Sequence, residues 1–393
     1  MTNLTPTDSQ RNALKQILTW LVQGECKYLS IGGYAGTGKT TLIALLRTTL
    51  TDLDGPIQSV AFCSYTGKAA SVMRQKLHER KTIKDGDSCG TIHSLIYTAE
   101  TDSLGDILGW KRVSSLTADL IVVDEGSMVN ETIWTDLLGF KKPILVFGDH
   151  GQLPPIEGTF NLMEKPNIVL DQIVRQAEGN PLIRLSRAVR LGKAIPYGTF
   201  YGAVRKFPAH TDEARDLFED LVRHDDPETL VICGTNRTRL HLNRQIRALR
   251  GFEEEMPRAG ERVICLRNNH AKALYNGMLG TITKIKEDGE HWYDVRIDFG
   301  DSQGAYHGSI LKYQFGQAKT LQGDAARALP LAERDFGDLF DFGYAMTTHK
   351  SQGSEARQVI LFEERMPRYD DEMWNRWLYT AVTRAREELV IFA

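Results

Sequence analysis

Residues Gly33-Tyr-Ala-Gly-Thr-Gly-Lys-Thr40 lie between an apolar stretch, Tyr28–Ile31, and a run of good helix formers, Thr41-Leu-Ile-Ala-Leu-Leu-Arg47. Few features constrain a fold more. The segment fits GxxxxGK[ST], and the strand before it and helix after it are the context that gives the pattern meaning. Glycines let the backbone curl so that its N–H groups face one point, and the helix N-terminus adds a dipole that favours anions. The loop therefore reads as a phosphate cradle at the edge of a parallel α/β sheet. Gly33, Ala35, Gly36, Thr37, Gly38 and Thr41 would surround the phosphates of ATP. Lys39 would reach the β- and γ-phosphates, and Thr40 would hold Mg²⁺. The plain alternative is a glycine-rich turn entering a helix.

A second feature points the same way. Leu120-Ile-Val-Val-Asp-Glu125 is an apolar strand ending in two acids. Buried parallel strands deliver such residues to their C-terminal rim, where α/β ligands bind. Asp124 would hold Mg²⁺, directly or through water, and Glu125 would polarise an attacking water. Acids capping a strand are often only a solvated turn; the upstream loop favours the hydrolytic reading.

The chain has 393 residues, room for two or three domains. At 41% hydrophobic and 25% charged it has an ordinary globular composition. No apolar run is long enough to span a bilayer, and the N-terminus lacks a secretion-signal pattern, so a cytoplasmic location is expected. The five cysteines form no CxxC pair and read as free thiols. The net charge of −3 gives no global argument for nucleic acid, so any binding track must be local.

Short apolar strands alternate with helical segments, which predicts parallel α/β layers. Strands are expected at Tyr28–Ile31, Ser59–Ser64, Leu120–Val123 and Ile144–Phe147. A second α/β set follows at Leu230–Cys233, Val263–Leu266, Gln358–Phe362 and Leu389–Phe392. Between Arg267 and Asp341 the texture changes: residues 291–299 alternate with period two, as a half-buried antiparallel strand does. A β-rich insertion is expected there, and another insertion between Tyr97 and Leu116.

Ordered motifs give the chain a resemblance to superfamily 1 helicases, specifically the 1B branch with RecD and the phage helicase Dda. Gly33–Thr40 resembles motif I. Thr66-Gly-Lys-Ala-Ala70 resembles motif Ia, and Thr91-Ile-His-Ser94 the element after it. Asp124-Glu-Gly-Ser-Met128 resembles motif II, with Gly126 where Ala or Val is more usual. Gly148-Asp-His-Gly-Gln-Leu-Pro-Pro155 is similar to motif III, and Asp171-Gln-Ile-Val-Arg-Gln176 to motif IV. Thr347-Thr-His-Lys-Ser-Gln-Gly-Ser-Glu355 resembles motif V, and Tyr379-Thr-Ala-Val-Thr-Arg-Ala-Arg386 motif VI.

The resemblance implies an α/β fold of two RecA-like P-loop NTPase domains, with ATP and Mg²⁺ between them. Domain 1A would span 1–170, with a small β-hairpin pin at 98–115. Domain 2A would comprise 171–266 and 342–393, and an SH3-like β-rich insertion 267–341. Arg175 and Arg384 would supply the guanidinium that stabilises charge on the transferring phosphoryl group. Gln152 would sense the γ-phosphate or its water. Gln10 would read the adenine edge, although Thr7-Asp-Ser-Gln10 is also a capping box, and the two roles are compatible. Gly353 would lie near the phosphates and Glu355 would accept from the ribose.

Thr66, Lys68, His93, Thr235, Asn236, Arg237, Thr348 and His349 would line a single-stranded nucleic-acid track, with Tyr97, Trp110 and Tyr275 available for base stacking. Each of these track residues has an ordinary reading as a turn or cap. The implied activity is a monomeric ATP-dependent DNA helicase moving 5′ to 3′ on single-stranded DNA. Its partners would be single strands, duplex junctions and single-strand-binding or replication and recombination proteins, with no membrane. A translocase that remodels protein–DNA complexes, a RecD-like subunit and an RNA substrate remain open at this stage.

Overall fold

A computed structural model of the chain describes residues 6–24, 27–53, 55–101, 107–155, 160–174, 179–200, 202–269, 272, 274–300, 304–321 and 337–393, with the backbone alone at 99–101 and 107–110. The chain forms two compact units that divide between Arg190 and Leu191.

The first unit opens with α1 (Asp8–Gln23). Thr7 and Gln10 form the capping box that their spacing suggests, and Ala13, Ile17 and Trp20 are buried at helical intervals. There follow β1 (Tyr28–Gly33), α2 (Lys39–Asp52), β2 (Val60–Ser64), α3 (Gly67–Glu79), β3 (Ser88–Thr91) and α4 (Ile92–Ile96). Next come β4 (Tyr97–Thr101), β5 (Ile107–Arg112), β6 (Leu120–Asp124), α5 (Glu131–Leu138), β7 (Ile144–Gly148), β8 (Ile168–Leu170) and α6 (Pro181–Arg190). Six of these strands form one parallel sheet in the order β3-β2-β6-β7-β1-β8. Helices cover both faces, so the strands are apolar throughout rather than alternating. Phe62, Leu120 and Val122 pack with Leu42, Ile43 and Leu46 of α2; Cys63, Ile121 and Val123 pack with Ile133 and Trp134 of α5. Among the described residues, strands β4 and β5 pair only with each other, antiparallel and outside the sheet.

The division between units falls after α6 rather than at 170/171. The reason is contact with the phosphate loop. The Val174 N–H donates to the Gly36 carbonyl at 2.9 Å, and the Arg190 guanidinium lies 3.4 Å over the Tyr34 ring.

The second unit contains β9 (Gly198–Phe200), β10 (Val204–Phe207), α7 (Asp212–Arg223), β11 (Thr229–Cys233), α8 (Asn236–Leu249) and β12 (Arg262–Cys265). The chain continues through β13 (Leu279–Asp288), β14 (Trp292–Asp298), β15 (Ala305–Leu311), β16 (Phe340–Phe342), β17 (Ala345–Thr347), β18 (Ala356–Phe362), α9 (Asp371–Val382) and β19 (Ala385–Phe392). A second sheet, β17-β11-β18-β19-β10-β9, is parallel except at its edge strand β9. A five-stranded antiparallel sheet, β15-β14-β13-β12-β16, is inserted between α8 and β17.

One expectation is corrected here. Val263–Leu266 does not extend the parallel sheet; as β12 it pairs antiparallel with β13 and β16. A short apolar run fits a buried strand of either kind equally well, so its sequence could not decide.

Buried ion pairs stitch α8 to the inserted sheet. Arg239 Nη1 lies 2.6 Å from Asp341 Oδ2, and Arg247 Nε 2.6 Å from Glu261 Oε1. Asp341 also accepts from the Gly316 and Phe342 N–H groups at 2.8 Å. A buried pair of this kind stabilises little over an apolar packing, yet breaking it strands a charge. Asp341→Ala is therefore expected to destabilise the second unit by about 3–5 kcal/mol. Replacing Arg239 and Asp341 together by Met and Leu should cost much less. Urea denaturation of the full chain measures both.

Candidate active site

The phosphate loop is held from behind. Gly38 caps α2 with a left-handed φ of 76°, which favours glycine. A Cβ there would also meet Gln10 Nε2 at 2.5 Å. That amide donates to the Thr37 and Gly38 carbonyls, both at 3.2 Å, while Gln10 Oε1 accepts from the Thr7 N–H at 3.0 Å. Both ends of the Gln10 amide are thus engaged, and reading an adenine would require exchanging these bonds. The Tyr34 carbonyl closes the turn by accepting from Thr37 Oγ1 at 2.8 Å. Lys39 Nζ donates to the Gly33 carbonyl at 2.7 Å. Gly36 also has a left-handed φ, of 81°. Ala35, Thr40 and Thr41 lie half-buried along the loop and first helical turn.

Strand β6 delivers the acid pair to the same rim. Asp124 Oδ1 accepts from the Glu125 N–H at 2.9 Å. Burial pushes the Asp124 carboxyl up, and the Lys39 ammonium draws it partly back. Glu125 has φ 55°, ψ 42°, a left-handed conformation that disfavours a side chain other than glycine or asparagine. Such strain, about 1–3 kcal/mol, concentrates at functional positions. Gly126 has a different reason to be glycine: a Cβ would stand 2.4 Å from Val146 Cγ1.

Among the described residues no group of three or more His, Cys, Asp or Glu could hold a metal. The donor set still fits Mg²⁺, which needs only one or two carboxylates once phosphate oxygens and water complete the shell. A half-buried Asp124 carboxyl faced by the Lys39 and Lys76 ammonium groups is such a donor, with Thr40 in the first turn of α2.

Strand β7 ends at Gly148 and brings motif III alongside. Gln152 is buried, and its Nε2 donates to Asp149 Oδ2 at 3.4 Å. The ring of His150 lies 4.0 Å from that of Tyr34, centroid to centroid. With Arg190 on its other contact, Tyr34 joins the phosphate loop, motif III and α6, a junction with no signal in the sequence. Arg175 and Gln176 lie outside the described residues.

The track residues fall into two groups. Thr66 and Thr235 are N-caps, accepting from the Ala69 and Thr238 N–H groups at 3.2 and 3.1 Å. Lys68 is half-buried, and His93 packs its ring 4.7 Å from Tyr97. Asn236 and Arg237 are exposed at the start of α8. Thr348 is a correction. It is fully buried, and its hydroxyl donates to the Cys233 carbonyl at 3.3 Å, so it faces the interior rather than a phosphate. His349 is half-buried, its imidazole pushed down by burial and by Arg368. The side chain of Trp110 is outside the described residues.

In motif V, Gly353 takes a left-handed φ of 73°, and Glu355 is exposed. Arg384 is 4% exposed and donates to the Thr380 carbonyl, the Ser354 carbonyl and Thr383 Oγ1 at 2.9, 3.1 and 3.0 Å. Two residues were not anticipated. Glu364 seats its carboxylate on the start of α8, accepting from the Gly234 and Thr235 N–H groups at 2.7 and 3.2 Å. Lys350 is largely buried, and burial lowers its ammonium to about 8.

With the geometry in place, comparison with known proteins decides the family. A family model for the AAA domain matches residues 5–206, more than half of the chain. The chain belongs to the AAA domain family. A UvrD-like helicase C-terminal domain matches residues 342–392.

The ATP-dependent RecD2 DNA helicase of Deinococcus radiodurans is 26% identical over 90% of this chain, and the RecBCD enzyme subunit RecD of Mycolicibacterium smegmatis 27% over 90%. The chain spans 45% of the first and 66% of the second. The chain is thus similar to these two proteins over nine-tenths of its own length. Two Pif1 helicase structures share its fold. One, described for unwinding at forked duplex DNA, has a TM-score of 0.59 at 20% identity and covers 99% of this chain and 92% of its own. The other, from Bacteroides with ADP-AlF3 and single-stranded DNA, has a TM-score of 0.56 at 19% identity, covering 100% and 93%.

Two expectations follow from packing. Gly126→Ala should destabilise this chain by about 1–3 kcal/mol, because Val146 must yield to the new methyl. Thermal unfolding tests it. Lys350 gives a pH dependence with a definite sign. The unfolded lysine keeps its proton up to 10.5 and the folded one only to about 8, so burial penalises the charged form at lower pH. Lys350→Met should therefore stabilise the chain near neutral pH by about 1–3 kcal/mol. The gain should shrink as pH rises from about 8 to 10.5, which melts at a series of pH values would show.

Proposed function

We propose that the chain is an ATP-driven DNA helicase that moves 5′ to 3′ along single-stranded DNA and separates duplex strands. One observation carries the reading: the phosphate loop, Asp124-Glu125 and the turn bearing Gln152 converge at the C-terminal rim of one parallel sheet. ATP supplies the phosphoryl group and Mg²⁺ the charge that neutralises it. Lys39 exchanges the Gly33 carbonyl for phosphate oxygens. Glu125, fixed by its left-handed backbone, accepts a proton from the attacking water. Gln152 orients that water, and Asp124 and Thr40 hold the ion.

The parallel parts of the two units are the RecA-like domains of this reading. The hairpin β4–β5 is its strand-separating pin, and the antiparallel sheet its SH3-like insertion. Arg384 and Arg175 provide the stabilising guanidinium groups. For Arg384 this means giving up three hydrogen bonds, so its engagement is conditional. Thr66, Lys68, His93, Thr235, Asn236, Arg237 and His349 hold the single strand by its phosphates, which fits movement without sequence preference. The protein acts as a cytoplasmic monomer, meeting single-strand-binding or replication and recombination proteins at DNA junctions.

The test is ATPase rate with and without single-stranded DNA, beside unwinding of duplexes with a 5′ or a 3′ tail. Strong stimulation and unwinding from the 5′ tail alone are expected. Stimulation without unwinding would instead indicate a remodelling translocase. Lys39→Ala should abolish hydrolysis and unwinding while single-strand binding persists. Normal hydrolysis by that variant would remove the assignment of the site.

A further inference from the structure

Ser64 ends β2 and stands opposite Asp124 in the parallel register between β2 and β6. Side chains of a strand alternate between the faces of its sheet. Ser64 therefore shares a face with Phe62, and Asp124 with Leu120 and Val122. Those three residues pack against Leu42, Ile43 and Leu46 of α2. This is the face on which α2 begins, with Lys39 and Thr40 in its first turn. So the register brings Ser64 beside Asp124, the carboxylate assigned to the divalent ion.

The Ser64 side chain is fully buried, yet its Oγ has no hydrogen-bond partner. A buried hydroxyl normally finds an acceptor or donor in the protein, because leaving it unpaired costs free energy that alanine would not. The Ser127 hydroxyl, three residues beyond Asp124, is buried and unpartnered too. Two such groups flank the acid pair. A hydroxyl kept in this position at a cost is suited to a water molecule on the ion.

We propose that Ser64 is a positioning residue of the metal site. Its hydroxyl hydrogen-bonds a water bound to the Mg²⁺ that Asp124 holds, fixing that water and the carboxylate relative to each other. Outer groups of this kind tune metal affinity without touching the metal. The inference rests on the nucleotide reading of the site given above.

The test uses the full chain, ADP, and Mn²⁺ as the metal probe, with binding followed by electron paramagnetic resonance. Ser64→Ala should weaken Mn²⁺ binding in the presence of ADP about tenfold. The same variant should raise the thermal midpoint without nucleotide or metal by roughly 2–6 °C, since an unpaired hydroxyl is removed. Opposite signs in the two measurements are the signature; a purely structural serine would not give them. Unchanged Mn²⁺ affinity, or a lowered midpoint, overturns the inference while leaving the nucleotide site standing. If wild-type protein shows no Mn²⁺–ADP binding that Lys39→Ala removes, the nucleotide reading itself fails, and this inference with it.

Discussion

Parallel strands arrive at one rim by their carboxyl ends, and register decides which residues arrive together. Gly32 pairs with Gly148, and Ser64 with Asp124. The phosphate loop, the acid pair and the Gln152 turn are thereby set side by side, although they are far apart in sequence. The glycines follow from this crowding. Gly33 faces Thr37 Oγ1, Gly126 faces Val146, and a Cβ on Gly148 would lie 2.8 Å from Met163 Cγ. In such a rim a methyl group is already too much. The geometry of this rim follows from strand order, which sets Asp124 near Lys39.

That logic explains what could be read from the residues alone. The phosphate loop, the acids and most parallel strands were legible, because a strand–turn–helix and a strand ending in acids carry their context within a few residues. The capping box of Thr7 and Gln10 was legible too. Its further reach, onto the carbonyls of Thr37 and Gly38, was not, because that contact joins residues 27 and 28 positions apart. Glu364 on Gly234 is a similar case at a separation of 130. Thr348 shows the converse failure. A motif position gave its residue type, but only the fold shows that its hydroxyl points inward. The boundary after α6 was hidden because the Tyr34–Arg190 contact belongs to tertiary structure alone.

Several residues are held at a cost to stability. Glu125 occupies a left-handed conformation, Lys350 carries an ammonium that burial penalises, and Ser64 hides an unpaired hydroxyl. A sequence selected only for folding would replace each with something easier. Glu125 and Ser64 stand at the carboxyl rim of the first parallel sheet, and Lys350 follows β17 in the second unit; strain of this kind concentrates at functional positions.

The second unit resolves its costs differently. Arg239, Arg247, Glu261 and Asp341 are all buried, and each is paired. Arg247 in addition lies 3.9 Å over the Phe342 ring, and the Tyr344 hydroxyl donates to Glu261. These bonds run from α8 to β12, β16 and their flanks, so the helix that starts at Asn236 and Arg237 is fixed to the inserted sheet along its length. Glu364 fixes the beginning of the same helix to the segment after β18. A nucleic-acid strand gripping Asn236 and Arg237 would therefore pull on a braced helix rather than on a loop. A load there would pass to the inserted sheet through Arg239 and Arg247 and to the segment after β18 through Glu364.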